Sequence, residues 1–169
     1  DGYFLFFNRG QVVLSNNLTY SYDDFYHQHM HPEGCTLDLW LQDLHTSPTS
    51  LGECALRSFL FMDGDNEQIR NLIQFSFSFL PSVYHDGKAV LYVDQQRMDN
   101  LLQTFGLQQN EFACILSPSG QMLAWTDDGL WNGEAIDQLL TNARNSQNFA
   151  QYQISGRHVL VSSCTSSQT

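Results

Sequence analysis

Positive charge is scarce in this sequence. Only 7 of the 169 residues are Lys or Arg, against 18 Asp or Glu, which gives a formal net charge of −11. A surplus of negative charge repels the phosphate backbone of nucleic acids and the surfaces of anionic lipids. We therefore expect that this segment does not itself bind nucleic acid.

Long apolar runs are also lacking. No stretch of 18 apolar residues occurs, and no segment has the pattern of a signal peptide. The apolar fraction of 42% is nevertheless enough to form a core. The sequence begins directly at a predicted strand and ends in a polar, Ser-rich segment, so we expect it to be a piece of a longer protein.

The sequence motifs of enzymes and of metal sites are missing. There is no G-x-S-x-G, no H-E-x-x-H and no phosphate-binding Gly-rich loop. His27, His29 and His31 would share a face only in an extended segment. A helix is predicted there instead, which separates neighbouring imidazoles and favours a solvated face. We accordingly predict no enzymatic activity, no cofactor and no metal site.

The four cysteines form no C-x-x-C pair, which argues against a zinc ribbon or a thioredoxin-like motif. Cys114 and Cys164 lie in strand-like apolar runs, where a buried free thiol is expected. Cys35 and Cys54 lie in polar contexts at opposite ends of a predicted helix. We predict a disulfide between them if the compartment is oxidising.

What the sequence does contain is an internal repeat. The segment Tyr3–Ser15 reappears as Phe112–Trp125, and each reads as strand, polar turn with Gly-Gln, strand. A second pair of similar segments, Gly87–Leu91 and Gly156–Leu160, follows in the same order. Repeated hairpins of this kind predict an α+β fold of two tandem modules, each an antiparallel sheet flanked by helices.

The two predicted modules differ in length. The first covers residues 1–93 and the second, truncated module covers 111–169, with a connector helix at 94–110. In the first copy 77 residues separate the two repeated glycines, Gly10 and Gly87, whereas only 36 separate their counterparts in the second copy. The additional chain in the first copy is expected to build the walls of a ligand cavity.

Local patterns predict the elements of the first module. Ser21 and Thr36 are expected to cap two helices, the first running to about Met30. A strand predicted at 72–80 alternates apolar and polar residues, so that four apolar side chains share one face. These four are Ile73, Phe75, Phe77 and Phe79.

Five side chains of the first module are candidate ligand contacts. Aromatic rings stack on sugars and on apolar groups, and guanidinium groups bind anions. The candidates are Trp40, Arg57, Phe59, Tyr84 and Tyr92. The alternative interpretation is that Trp40, which shares a helical stripe with Leu37 and Leu44, and Phe59 are ordinary core residues.

The predicted order of hairpin, helices, three-stranded meander, connector helix and shorter second copy resembles that of the double Cache sensors, which are extracytoplasmic PAS-like pairs. The segments Phe4–Met30, Gly87–Leu102 and Phe112–Trp125 carry the resemblance. They look most like the extracellular part of membrane-anchored AraC-type transcriptional regulators of Gram-positive bacteria. The resemblance implies a domain on the outer side of the cell membrane, tethered to it in the full-length protein, that senses a small molecule and is compatible with a homodimer.

The resemblance also bears on the ligand. In amino-acid-binding double Cache sensors an Asp just after the last strand of the distal module holds the ligand amine, and Asp94 occupies the matching position. The companion Arg-x-Trp pattern, which holds the carboxylate in that subfamily, is not found. A sugar or another small polar solute is therefore the expected ligand. Asp94 fits equally well as a helix N-cap.

Two other functions stay open at this stage. A structural or dimerisation module without a small-molecule ligand is expected to have its interior filled by Phe75, Phe77 and Phe79. Sensor domains of the same kind are also fused to histidine kinases and to chemoreceptors, so the sequence leaves the output domain undecided.

Overall fold

A computed structural model of the chain describes nine stretches. These are residues 2–46, 53–63, 66–78, 87–108, 111–126, 137–138, 140–141, 149–154 and 157–163. Contacts within the chain divide it into two compact units, one made of residues 1–106 and 113–125 and the other of 107–112 and 126–169. Among the described residues, no helix has both the length and the apolarity needed to cross a bilayer.

The main sheet of the first unit is antiparallel and has seven strands. Its strands are β1 (Gly2–Phe7), β2 (Val12–Leu14), β3 (Thr19–Ser21), β4 (Met30–Pro32), β5 (Glu53–Asp63), β6 (Asn66–Ser78) and β7 (Gly87–Asp94). They lie in the order β3-β2-β1-β7-β6-β5-β4. Helices α1 (Tyr22–Gln28) and α2 (Leu37–Thr46) occur between the β1–β2 hairpin and the β5–β6–β7 meander, and α3 (Gln95–Gln103) follows β7. This is an α+β fold with a curled antiparallel sheet, compatible with a PAS-like fold.

The predicted turn of the first hairpin is confirmed. The amide of Gln11 donates to the carbonyl of Asn8 at 3.2 Å, which closes the turn between β1 and β2. Gln11 has a φ of 48°, the left-handed region that a non-glycine residue adopts mainly in turns. Phe7 and Val12 then pair directly across the hairpin.

Both predicted helix caps are confirmed. The hydroxyl of Ser21 accepts a hydrogen bond from the amide of Asp24 at 3.0 Å, and the hydroxyl of Thr36 accepts one from Leu39 at 3.4 Å. The first helix ends at Gln28, two residues earlier than predicted, because Met30 begins β4 and pairs with Phe61 of β5.

The core of the first unit lies between helices α1 and α2 and one face of the sheet. We call this face of the sheet the helix-facing side. The indole of Trp40 on α2 lies 5.7 Å from the ring of Phe6 on β1 and 6.0 Å from that of Phe25 on α1. Leu44, one helical turn after Trp40, is also buried, as the spacing of apolar residues predicted. Helix α2 thus packs its apolar stripe directly on the sheet.

A short hairpin, β8 (Cys114–Leu116) and β9 (Met122–Trp125), belongs to the first unit by its contacts, whereas the sequence repeat places it at the start of a second module. The side-chain amide of Gln121 binds the backbone of Leu56 on β5 twice, accepting from its N–H at 3.1 Å and donating to its carbonyl at 3.0 Å. The amide of Trp125 donates to the carboxylate of Asp99 on α3 at 2.9 Å. These bonds join the hairpin to strand β5 and to α3.

We expect Gln121→Ala to lower the free energy of unfolding by about 1–2 kcal/mol, because it removes both hydrogen bonds to the β5 backbone. Chemical denaturation measures the loss. Gln103→Ala, which truncates an exposed glutamine at the end of α3, is the matched control and should change stability by less than about 0.5 kcal/mol. Equal stability of the Gln121→Ala variant and the natural protein would contradict the bridging role.

The second unit contains the antiparallel hairpin of β10 (Phe149–Ile154) and β11 (Arg157–Ser162). Residues 137–138 and 140–141 are helical. The division into two tandem modules, with boundaries at 93 and 111, stays a prediction.

The predicted disulfide is wrong, because Cys35 and Cys54 are free thiols. Cys54 lies opposite Phe75 in the β5–β6 pair, on the side of the sheet that faces away from the helices. Cys35 packs against the core between the helices and the sheet. The sheet therefore separates the two thiols. Burial raises the pKa of Cys54 to about 11, which keeps it protonated at neutral pH.

Candidate functional site

Strand β6 turns its polar residues toward the helices. The predicted alternation is correct, but Gln74 and Ser76 occupy the helix-facing side and are buried, while Phe75 and Phe77 occupy the opposite side. Phe77 is 43% exposed. A strand in the middle of a sheet normally points its apolar residues to the helices that cover it. The reversal places polar groups where a core is expected.

Neighbouring strands extend this polar surface. Residues that pair directly across an antiparallel sheet share a face, so Tyr92 lies beside Gln74. Lys88 is on the same side of β7, two alternations before Tyr92, and its side chain is only 5% exposed. We call five of the helix-facing polar side chains of β5, β6 and β7 the polar strip. They are Arg57, Gln74, Ser76, Lys88 and Tyr92.

Three buried polar atoms on α2, β6 and β7 have no hydrogen-bond partner among the described residues. They are the indole Nε1 of Trp40, the amide Oε1 of Gln74 and the hydroxyl of Tyr92. The amide nitrogen of Gln74 is satisfied, because it donates to the hydroxyl of Ser76 at 2.9 Å. Buried polar groups in folded proteins are almost always hydrogen-bonded, so each exception requires a specific explanation.

Apolar rings enclose the phenol of Tyr92. The ring of Phe59 lies 5.0 Å from it and that of Phe4 5.8 Å, both edge-on. Burial raises the pKa of Tyr92 well above its ordinary value, although the positive charge of Arg57 acts in the opposite direction. The hydroxyl therefore stays protonated at physiological pH and can donate a hydrogen bond.

An ion pair lies at the β5 edge of the polar strip. The guanidinium of Arg57 is 2.5 Å from the carboxylate of Asp43 on α2, and both side chains are partly exposed. The pair connects α2 to the sheet from the side that solvent reaches. A displacement of α2 relative to β5 would break it.

Five of the six predicted site residues lie in the described part of the chain and fall into three groups. Trp40, Phe59 and Tyr92 are buried together in the core of the first unit, as the alternative interpretation expected of Trp40 and Phe59. Asp94 is the N-cap of α3 and accepts a hydrogen bond from the amide of Gln96 at 2.9 Å. Arg57 pairs with Asp43, as described above. Tyr84 lies outside the described residues. The ligand roles of all six residues stay predictions.

Sequence reasoning missed Gln74, Ser76 and Lys88. The available signal was the alternation of β6 itself, which shows that one face of this central strand carries an amide and hydroxyls. Alternation alone does not show which of the two faces the helices cover.

The three alternating histidines do not share one solvated face. His27 is exposed and lies 3.5 Å from Asp23, whereas His29 and His31 pack on aromatic rings. The Nδ1 atom of His31 lies 2.8 Å from the carbonyl of Tyr26. Among the described residues, no group of three metal-ligating side chains occurs.

His29 should make the stability of the first unit pH-dependent. Burial lowers its pKa, and its ring stacks on that of Tyr20 at 5.4 Å. As pH falls below about 6.5, the unfolded chain gains a proton on this imidazole before the folded chain does. The contribution of His29 to the free energy of unfolding is therefore fully present above that pH. It decreases as the pH falls toward the lowered pKa.

Denaturation curves at pH 7.0 and 5.5 test this expectation. The natural protein should lose stability between the two values, and His29→Phe should lose less. His27→Gln, which removes an exposed imidazole from the last turn of α1, should behave like the natural protein. A pH response that is unchanged in His29→Phe would contradict the assignment.

Comparisons with known proteins identify no relative: no protein-family model, no curated protein and no solved structure matches the chain.

Proposed function

We propose that the first unit is a ligand-sensing domain that binds a small polar organic molecule between α2 and the polar strip. By the resemblance stated for the sequence, it would work outside the cell as part of a transmembrane signalling protein with a transcriptional output. The observation that carries the proposal is the set of three buried polar atoms without a described partner, on Trp40, Gln74 and Tyr92.

Physical considerations support a binding role over a purely structural one. An unsatisfied buried polar group costs about 1–3 kcal/mol, and an apolar side chain of similar shape would avoid that cost. Proteins retain destabilising polar groups chiefly where function needs them. A ligand with complementary donors and acceptors would satisfy these atoms and would stabilise the folded state.

We expect a signal from this site to pass along the backbones of β5 and β7. Arg57 belongs to the polar strip, and the residue before it, Leu56, is held by the amide of Gln121. Tyr92 lies two residues before Asp94, the cap of α3. The β8–β9 hairpin is attached to β5 through Gln121 and to α3 through Trp125. A ligand that shifts α2 against the sheet would therefore act on both attachments.

A thermal-shift screen with monosaccharides, oligosaccharides, amino acids and organic acids tests the proposal. A ligand at about a hundredfold excess over its Kd should stabilise the protein by about 2.7 kcal/mol. Tyr92→Phe and Gln74→Met should abolish or strongly reduce the response to any compound that binds. Leu39→Ala, which alters an exposed residue of α2, should leave it intact. A response that survives both substitutions in the polar strip would place the binding site elsewhere.

A second candidate function is association with another protein surface, including a second copy of this chain. The observation that favours it is the opposite side of the sheet, where Tyr3, Phe77 and Leu91 are 54%, 43% and 38% exposed. Tyr3 and Phe75 both pair with Leu91, so these side chains form a continuous apolar patch. Exposed patches of this kind mark interaction surfaces.

Sedimentation analysis discriminates between the two candidates. If the patch mediates self-association, the protein should be dimeric and Phe77→Ser should make it monomeric without changing its ligand response. If the protein is monomeric at all accessible concentrations, the patch does not mediate self-association. The ligand-binding proposal is unaffected by that result.

A further inference from the structure

Two side chains of the polar strip lie next to each other in the middle of the sheet. Gln74 on β6 and Tyr92 on β7 pair directly across the strands and are only 6% and 2% exposed. The Oε1 atom of Gln74 and the hydroxyl of Tyr92 both lack a partner among the described residues. Because directly paired residues have Cβ atoms about 4.5–5.5 Å apart, one small group can bond to both side chains.

Helix α2 spans the two strands that carry these side chains. Its Trp40 lies against Phe6 on β1, and its Asp43 is paired with Arg57 on β5. Strands β7 and β6 lie between β1 and β5 in the sheet. Trp40 and Asp43 are three positions apart and therefore lie on the same side of α2. The unpartnered indole nitrogen of Trp40 thus belongs to the helix that covers the polar strip.

The three unpartnered atoms differ in the hydrogen bonds that they form. The indole nitrogen of Trp40 only donates, the amide oxygen of Gln74 only accepts, and the hydroxyl of Tyr92 does either. A hydroxyl group of a ligand complements this set, because its oxygen accepts hydrogen bonds and its proton donates one. A carboxylate cannot donate to Gln74, and an ammonium cannot accept from Trp40.

The cations of the polar strip do not require a charged ligand. The guanidinium of Arg57 is paired with the carboxylate of Asp43, and Lys88 also has an interaction within the chain. The phenol of the strip is enclosed by the rings of Phe4 and Phe59. A charge buried against such rings without a counter-charge costs far more free energy than a neutral hydroxyl that is hydrogen-bonded.

Resting on the proposed function, we infer that the ligand is uncharged and is a polyol or a neutral sugar. One of its hydroxyl groups donates to the Oε1 atom of Gln74 and accepts from the hydroxyl of Tyr92. The indole of Trp40 donates to the same oxygen or to that of an adjacent hydroxyl. The site discriminates against acids and amines, because each leaves at least one of these buried atoms unsatisfied.

Sets of compounds that differ in one group test the inference on the unaltered protein. D-glucose is compared with D-glucuronate and D-glucosamine, D-galactose with D-galacturonate and D-galactosamine, and glycerol with glycerate. In a set that binds, the neutral compound should have a Kd lower by about 5- to 150-fold, the cost of one unsatisfied buried group. Calorimetric titration measures the Kd values, and thermal shift at about 10 mM ligand detects weak binding.

Two variants assign the discrimination to a single atom. Gln74→Met removes the amide oxygen that a carboxylate cannot satisfy, so the ratio of the Kd values for acid and neutral compound should fall toward one. Tyr92→Phe should weaken acid and neutral compound alike and keep the ratio, because a phenol bonds to either. Gln103→Met, which makes the same change as Gln74→Met at an exposed position of α3, is the matched control and should leave all Kd values unchanged.

The outcomes separate this inference from the proposed function. If an acid or an amine binds as tightly as its neutral counterpart, or if Gln74→Met keeps the discrimination, the inference is overturned while the binding site stands. If no neutral compound of these sets stabilises the protein, the inference is also overturned. If compounds bind with Kd values that neither Tyr92→Phe nor Gln74→Met changes, the site itself is wrong and both proposals fail.

Discussion

Trp40→Ala should lower the free energy of unfolding by about 3–5 kcal/mol, as is usual for the loss of a buried aromatic side chain. The indole lies fully buried on α2 and contacts the rings of Phe6, Phe25 and Tyr26 at 5.7–6.0 Å. Removal of the indole leaves a cavity that these rings cannot fill without leaving their own contacts. Denaturation by urea, followed by far-ultraviolet circular dichroism, measures the loss.

A control on the same helix separates packing from helix formation. Leu39 is 57% exposed and precedes Trp40 directly. Leu39→Ala should change stability by no more than about 0.5 kcal/mol. Comparable losses for the two variants would mean that α2 does not pack on the sheet by the face described here.

Substitutions in the polar strip should raise the free energy of unfolding rather than lower it. Tyr92→Phe removes a buried hydroxyl without a described partner, and Gln74→Met removes an unpartnered amide oxygen while keeping the length of the side chain. Each change should stabilise the unliganded protein by about 1 kcal/mol, and the double variant by about 2 kcal/mol. The lost bond between Gln74 and Ser76 offsets part of the gain.

The same double variant should lose its response to ligand, so that a gain in stability accompanies a loss of binding. Such a combination is characteristic of residues kept for function at a cost to stability. Phe59→Leu, which alters a buried ring beside Tyr92 without touching a polar atom, is the control and should lower stability. A double variant that is less stable than the natural protein would indicate that Gln74 and Tyr92 are satisfied structural groups.

Most local features of the first unit could be predicted from the sequence. Ser21 and Thr36 cap their helices, because the signal for a cap lies within four residues of it. The turn after Phe7 and the N-cap at Asp94 are local in the same sense. Hairpin, helices and meander consequently follow one another as expected.

Features that depend on distant parts of the chain could not be predicted. The alternation of β6 defines two faces, but only the position of α2 decides that Gln74 rather than Phe75 is covered. The bonds between Gln121 and Leu56 join residues 65 positions apart, and no local pattern reveals them. The predicted Cys35–Cys54 disulfide was wrong for the same reason. No local pattern shows which side of the sheet each thiol occupies.

The indole N–H signal of Trp40 in a ¹H–¹⁵N spectrum tests the central claim most directly, because that group is one of the three unpartnered atoms. The signal is assigned by its disappearance in Trp40→Phe, and the indole of Trp125 on β9 is the internal reference. At saturation with the compound that most stabilises the protein, the Trp40 signal should move downfield as the indole gains an acceptor, and the Trp125 signal should move much less. An unchanged Trp40 signal in the fully liganded protein would contradict a binding site between α2 and the polar strip.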